Sequence, residues 1–182
     1  MDIIVVIIMI LTIITSYFFT QRQINEIRQI ENKRRIVGVE SLLYELEINK
    51  AWVKQFIKDC GQEGGHLKPS ATWVWNPPQL MEYEKYFSVV CSGDSKLTYN
   101  LVSLYSKLKS CEIITYFIHT LKSHEGMSIV DLTADYNEKL YHICCSINDS
   151  FDEPIRSLEH LKKTLIKRGI FAISKIRAAS NF

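Results

Sequence analysis

The sequence predicts an all-α protein in which an N-terminal transmembrane helix is followed by an antiparallel bundle of four or five helices. Three observations lead to this prediction. The chain of 182 residues contains only seven Gly and four Pro, too few for the frequent turns of an all-β fold. Apolar residues recur at steps of three and four, as helices with one buried face require. The first segment is uncharged and strongly apolar.

That first segment, residues 3–19, reads IIVVIIMILTIITSYFF. As a helix it rises about 26 Å, close to the ~30 Å hydrocarbon core of a bilayer. A cleaved signal peptide needs a basic n-region and small residues at its cleavage site, whereas this chain begins Met1-Asp2. Buried core helices with so long an apolar run are uncommon. Of these three alternatives, we favour the transmembrane anchor, and we predict that it comprises residues 1–20.

The charges after the apolar run predict its orientation. Basic residues follow it at Arg22, Arg28, Lys33, Arg34 and Arg35. The positive-inside rule then places the N-terminus outside and the remaining chain in the cytoplasm. Five Cys without the spacing of a disulfide framework suit a reducing compartment. We therefore predict a single-pass protein of the cell membrane with a cytoplasmic C-terminal domain.

Residues 21–38 are predicted to continue the first helix as a polar juxtamembrane segment, with only Ile24, Ile27 and Ile30 apolar. Residues 39–182 are predicted to form the cytoplasmic bundle. Its first helix has a seam that steps by three and four, as helix packing requires: Val39, Leu42, Leu46, Asn49, Val53, Phe56 and Cys60.

Later helices are predicted from the same periodicity and from Gly and Pro positions. After a long loop over residues 61–78, Pro77 and Pro78 are expected in the first turn of the second helix, since Pro is tolerated there. The others are predicted at about 96–123, at 132–147, and from a capped start at 152–154 to Gly169, with residues 170–182 as a short final helix.

Asn49 occupies a seam position of the first bundle helix. A buried amide without a partner costs about 1–3 kcal/mol. We interpret Asn49 as a polar lock that fixes helix register, with ligand binding as the alternative.

The same stretch, Leu42-Leu43-Tyr44-Glu45-Leu46-Glu47-Ile48-Asn49, resembles an LLxELxxN pattern that follows the anchor in small uncharacterised prokaryotic single-pass membrane proteins. Those proteins often carry a later helix that resembles residues 101–108. The resemblance implies a helical, membrane-anchored protein and no known activity. It makes Glu45, Asn49 and Tyr105 signature positions, and we expect these side chains to meet in the core.

No motif in the sequence indicates catalysis or a bound cofactor. The five Cys and five His lack CxxC, HExxH and HxxxH spacings, although a zinc site needs four convergent ligands. There is no Gly-rich phosphate loop or nucleophile elbow. The pairs Glu82/Glu84 and Asp131/Asp135 are expected to be solvated. We predict no catalytic residue, no cofactor and no metal, and that the protein is not an enzyme.

Trp73 and Trp75 stand in the Pro-containing loop. Two rigid aromatic side chains of this kind often dominate protein interfaces. They can equally cover one end of a bundle, with each indole N–H bonded to a helix end. We favour the cover and keep partner binding as the alternative.

Charge is partitioned along the chain. Residues 20–35 carry net +3, residues 36–153 net −6 and residues 154–182 net +6. The basic tail residues Lys167, Arg168, Lys175 and Arg177 are candidates for contact with an anionic membrane surface. Packing on the acidic bundle or on another subunit is the alternative that we favour for this tail, and nucleic acid is an unlikely partner.

Taken together, these patterns predict a non-enzymatic protein that contacts the bilayer through residues 3–19. It would tether or scaffold a protein partner, or its own oligomer, at the cytoplasmic membrane face. The alternative is a sensor domain that binds a small ligand or nucleotide between helices, near Asn49 and Tyr105, and signals through the anchor.

Overall fold

The computed structural model describes residues 3–63, 66–67, 76–122 and 128–179, and these residues are predominantly α-helical. The prediction of an all-α protein is thereby confirmed, apart from one short pair of antiparallel strands in the segment predicted as a loop. The elements are α1 (Ile3–Cys60), β1 (Gln62–Glu63), β2 (His66–Leu67), α2 (Met81–Val90), α3 (Ser95–Lys122), α4 (Ser128–Ile147) and α5 (Asp152–Ala179), with a 3₁₀ turn at Asn148–Phe151 before α5.

The chain divides into two compact units. The terminal unit combines Met1–Val37 with Thr164–Phe182, and the central unit is Gly38–Lys163. Residues 164–182, at the C-terminal end of the chain, thus belong to the same unit as the first segment. The terminal unit carries nine basic and three acidic residues, and the central unit thirteen basic and seventeen acidic. The two units thus have net charges of opposite sign.

Helix α1 runs without interruption through 58 residues. Among the described helices it is the one that is long and apolar enough to cross a membrane, with a mean hydropathy of 2.6 in its most apolar stretch, none of which is buried. Its C-terminal part is packed. All seven predicted seam residues are fully buried there: Val39, Leu42, Leu46, Asn49, Val53, Phe56 and Cys60.

Helix α3 supplies a second continuous buried stripe to the central unit. Its residues at alternating steps of four and three are all buried: Leu97, Leu101, Leu104, Leu108, Cys111, Thr115 and Ile118. Buried residues from the later elements include Leu140, Cys144, Ile147, Phe151 and Leu158. The core of the central unit is therefore built from helix faces that the three-and-four periodicity identifies.

The start of α2 differs from the prediction. Pro77 and Pro78 do not lie in its first turn, because residues 76–80 are irregular and the helix begins at Met81. Leu80 occupies the N-cap position and has no side-chain oxygen to accept a bond from the first turn. The first-turn N–H groups bond instead to a carboxylate on α1, so a tertiary contact determines where this helix begins.

Helix α5 also differs from the prediction, since it continues through Gly169 to Ala179 and residues 170–179 are not a separate helix. A Gly inside a helix costs about 1 kcal/mol relative to Ala. Here it allows a close approach within the terminal unit: a Cβ at Gly169 would lie 3.2 Å from the Asn32 amide nitrogen. That nitrogen donates to the Leu165 carbonyl at 3.2 Å.

In the central unit, α5 runs in the opposite direction to α1. Lys50 of α1 lies 2.5 Å from Asp152 at the start of α5, and Glu40 lies 2.9 Å from Lys162. Residue numbers therefore fall along α1 as they rise along α5. Exposed ion pairs such as these add little to stability, but they define the relative direction of the two helices.

Candidate functional site

Glu45 of α1 is the one buried carboxylate in the part of the chain whose side chains the structure describes, with 2% of its surface exposed. Its Oε2 accepts a hydrogen bond from the Glu82 backbone N–H at 2.6 Å, and its Oε1 accepts one from the Tyr83 N–H at 3.1 Å. These are first-turn N–H groups of α2, which have no partner within the helix. Glu45 therefore acts as an N-cap supplied from another helix, and the helix dipole favours its negative charge there.

Tyr105 of α3 completes this arrangement. Its hydroxyl donates to Glu45 Oε1 at 2.7 Å. Its ring stacks on Tyr83 of α2, with centroids 3.8 Å apart and an interplanar angle of 12°. One carboxylate and one pair of stacked rings thus join α1, α2 and α3.

Asn49 lies one helical turn beyond Glu45 on α1. Its Oδ1 accepts from the Gln79 N–H at 2.8 Å, and its Nδ2 donates to the Gln79 carbonyl at 2.6 Å. A single side chain therefore bonds both backbone groups of one residue in the irregular segment before α2. Asn49 therefore bonds to this segment, whereas a lock of helix register would pair it with a polar side chain in the seam of another helix.

Burial is the main influence on the titration of this cluster. Burial raises the pKa of Glu45, and the negative charge of Glu82 raises it further. The hydrogen bonds from Tyr105, Glu82 and Tyr83 lower this pKa, but their effect does not outweigh burial. Burial, with the hydrogen bond and charge of Glu45, also raises the pKa of Tyr105 far above its usual value. The raised pKa keeps the Tyr105 hydroxyl protonated, and therefore a hydrogen-bond donor, at neutral pH.

A groove of about 610 Å³ opens beside Glu45 on the surface of the central unit. Its rim includes the exposed side chains of Tyr44 and Met81, which are 66% and 81% exposed. Its lining residues are Ser41, Tyr44, Glu45, Pro77, Pro78, Gln79, Leu80, Met81, Glu82, Glu84, Lys109 and Glu112. Asn49 and Tyr105 are not among them.

The groove combines apolar surface with excess negative charge. Four of its lining residues are carboxylates and one is a Lys. The Lys109 ammonium lies 2.6 Å from Glu112 and 4.0 Å from Glu84. Glu82 and Glu84 were expected on a solvated stretch, and the groove itself was not predicted, because its walls come from α1, α2 and α3 together. The one signal in the sequence is the presence of Tyr44 and Met81 outside the buried stripes.

The other predicted site residues lie elsewhere. Trp73 and Trp75 fall outside the described residues. Lys167 and Arg168 are exposed on α5, and Lys175 and Arg177 belong to the last turns of the same helix. These four basic residues all belong to the terminal unit.

The cysteines contribute mainly to packing. Cys60, Cys91, Cys111 and Cys144 are buried and Cys145 is exposed. The pKa of the Cys144 thiol is raised, mainly by a hydrogen bond with Cys111 and secondly by burial. A raised pKa disfavours the reactive thiolate. Within the described part of the chain, no group of three or more His, Cys, Asp or Glu is placed to hold a metal ion.

Comparisons with protein-family models, with curated proteins and with solved structures find no match to this chain. Its function must therefore be inferred from the geometry of its own helices.

Proposed function

We propose that this chain is a single-pass membrane protein whose central unit is a non-enzymatic helical bundle that holds a protein partner at the cytoplasmic membrane face. The observation that carries the proposal is the continuity of α1 from Ile3 to Cys60. One end of this helix is an exposed apolar run, and the other end contributes seven fully buried side chains to the central unit. A single helix thus links a membrane-length segment directly to a packed domain.

The basic residues after the apolar run support a cytoplasmic location for the central unit. Five Arg and Lys lie within residues 22–35, against two acidic residues. Basic residues close to a span are retained on the cytoplasmic side. Because α1 is unbroken across this region, the same orientation applies to everything that follows.

The polar cluster supports a structural role over a catalytic one. Glu45, Asn49 and Tyr105 each bond to protein groups that position α2 or the segment before it. Three donors converge on the two oxygens of Glu45. The cluster therefore shapes the wall of the adjacent groove, and its polar atoms are engaged in holding that wall.

The groove is the proposed partner site, and its chemistry indicates the occupant. Exposed Tyr44 and Met81 offer apolar contact area, and Glu82, Glu84 and Glu112 surround it with negative charge. An amphipathic helix with a basic flank complements such a surface, since apolar anchors supply affinity and opposite charges supply orientation. We therefore assign the groove to a basic amphipathic segment of a protein partner.

Site-specific photo-crosslinking in native membranes tests this assignment. A photoreactive phenylalanine at Tyr44 or Met81 should capture one partner through a peptide that is basic and amphipathic. The matched control is Tyr99, which is 73% exposed on α3 and does not line this groove. Glu84→Lys with Glu112→Lys should abolish the groove crosslink. Equal capture at Tyr99, or capture that survives both charge reversals, would contradict the proposal.

The groove also favours one alternative, a sensor of a small ligand. Its volume of about 610 Å³ lies within the ~300–1,000 Å³ typical of ligand pockets. Thermal unfolding of the full chain in nanodiscs, with and without a panel of nucleotides and metabolites, separates the two functions. A ligand-dependent rise in melting temperature that Glu84→Gln removes would support sensing, and unchanged melting supports the scaffold.

A further inference from the structure

The terminal unit brings the end of α5 beside the part of α1 that leaves the apolar run. Asn32 of α1 donates to the Leu165 carbonyl and lies against Gly169, one turn further along α5. Helix α5 then continues for ten residues to Ala179. In the central unit the same two helices run in opposite directions, as the Lys50–Asp152 and Glu40–Lys162 pairs show.

Helix geometry converts this pairing into a distance from the apolar run. Ten helical residues rise about 15 Å, so the stretch from Gly169 to Ala179 matches the stretch from Asn32 back to Arg22. Arg22 lies three residues beyond Phe19, or about 5 Å along the helix. The headgroup layer on each side of a bilayer is ~5–7 Å thick. Followed along α1 in the antiparallel direction, these ten residues of α5 cover the distance from Asn32 to this layer.

The charges of the terminal unit suit such a position. Its section of α5 contains Lys167, Arg168, Lys175 and Arg177 and no acidic residue. The juxtamembrane section of α1 contributes an 80% exposed Arg22 side chain, which pairs with Glu26 at 3.1 Å, and an exposed Arg28. Basic residues attract anionic lipid only within a screening length of ~8 Å, so the return of α5 toward the apolar run determines whether its charges act on the bilayer.

We propose that the C-terminal part of α5, with the juxtamembrane part of α1, forms a helical hairpin that binds anionic phospholipid headgroups of the cytoplasmic leaflet. The inference rests on the proposed membrane anchorage of α1. In this hairpin Lys175 and Arg177, six and eight residues past Gly169, would lie level with Glu26 and Ile24 of α1, on the side of the apolar run. The chain is thus attached to the membrane twice, by its apolar run and by its basic C-terminal helix.

Quenching by spin-labelled lipid headgroups tests this binding with the full chain. A fluorophore is attached at Ala178→Cys in a Cys145→Ser background, and the protein is placed in nanodiscs of phosphatidylcholine with or without phosphatidylserine. Quenching should be stronger with phosphatidylserine and should weaken at high salt. Lys175→Gln with Arg177→Gln should shift the equilibrium toward the detached tail by roughly fivefold for each charge removed, since each contributes ~1 kcal/mol.

The matched control removes two exposed basic residues from the central unit, Lys54→Gln with Lys58→Gln, and should leave quenching unchanged. Quenching that is equal in both lipids and insensitive to salt and to both variants would overturn the proposal. So would a tail crosslinked to a second copy of the chain. Carbonate extraction separates this failure from that of the proposed function: a retained chain with an unquenched tail contradicts only the headgroup binding, whereas an extracted chain contradicts the anchor itself.

Discussion

Glu45 shows how one residue can organise three helices. Its carboxylate accepts hydrogen bonds from two backbone N–H groups of α2 and from the Tyr105 hydroxyl of α3. Hydrogen bonds to an ionised group are stronger than those between neutral groups. Because Leu80 at the start of α2 provides no cap, the position of this short helix depends on a side chain far away in sequence.

Tyr105→Phe removes one of the three donors to Glu45 and keeps the ring that stacks on Tyr83. We expect the free energy of unfolding to fall by about 1.5–3 kcal/mol, the usual value for a hydrogen bond to a charged group. Urea denaturation in detergent micelles measures this change. Tyr99→Phe is the control, since Tyr99 is largely exposed, and equal losses in both variants would show that the Tyr105 bond adds nothing.

The raised pKa of Glu45 predicts a pH dependence of stability. The folded state favours the protonated carboxyl of Glu45, whereas in the unfolded chain the pKa of this carboxyl is near 4.5. Between that value and the raised folded-state pKa, the folded protein therefore binds more protons. The free energy of unfolding should fall as pH rises through this window, and Glu45→Gln should remove that fall. Denaturation curves recorded at several pH values test this, and parallel pH profiles for the two proteins would contradict it.

At the scale of single residues, the sequence identifies positions more readily than partners. Periodicity places Glu45 and Asn49 near the buried seam of α1. It gives no sign that they bond to the backbone of residues 79, 82 and 83. Every residue except Pro carries a backbone donor and acceptor, so such partners have no signature in the sequence.

Among the helices, the two departures from expectation have one physical cause. Pro77 and Pro78 fit a first helical turn by local rules, yet α2 begins at Met81 where Glu45 supplies its cap. Gly169 fits a helix end by the same rules, yet α5 continues through it, where Asn32 of α1 bonds the Leu165 carbonyl and lies in the space that a side chain at 169 would need. In both cases a tertiary contact outweighs a local preference.

Replacement of Gly169 tests this account of α5. Gly→Ala inside a helix normally gains ~1 kcal/mol, but the new Cβ would lie 3.2 Å from the Asn32 amide. We expect Gly169→Ala alone to change the free energy of unfolding little, since the displaced amide loses its bond to Leu165. In an Asn32→Ala background the same change should stabilise by about 1 kcal/mol. Equal effects in both backgrounds, measured by thermal unfolding, would exclude the coupling.

For the whole molecule, Cys145 is a natural reporter of orientation. It is the exposed cysteine of the chain, whereas the other four are buried. With a cytoplasmic central unit, a membrane-impermeant maleimide should label Cys145 only after cells are opened. Cys145→Ser should remove that labelling. Modification of Cys145 in intact cells would place the central unit outside and overturn the proposed topology.

The partition of charge is also a property of the whole molecule. The sequence shows basic ends around an acidic middle, and the structure groups the two ends into one basic unit, separate from the acidic one. Two basic segments more than a hundred residues apart thereby become neighbours. The terminal unit therefore combines the basic residues of both segments.

By itself, the sequence determined the helical class, the apolar run and the buried faces of α1 and α3, because hydrophobic periodicity and helix length are local properties that burial enforces. Only the tertiary structure decided where α2 begins, how far α5 continues and that Glu45 borders an acidic groove. Each of these depends on contacts between residues distant in the chain. Hydrophobic periodicity does not show which backbone N–H a side chain will bond, where two helices approach closely, or where three helices enclose a groove.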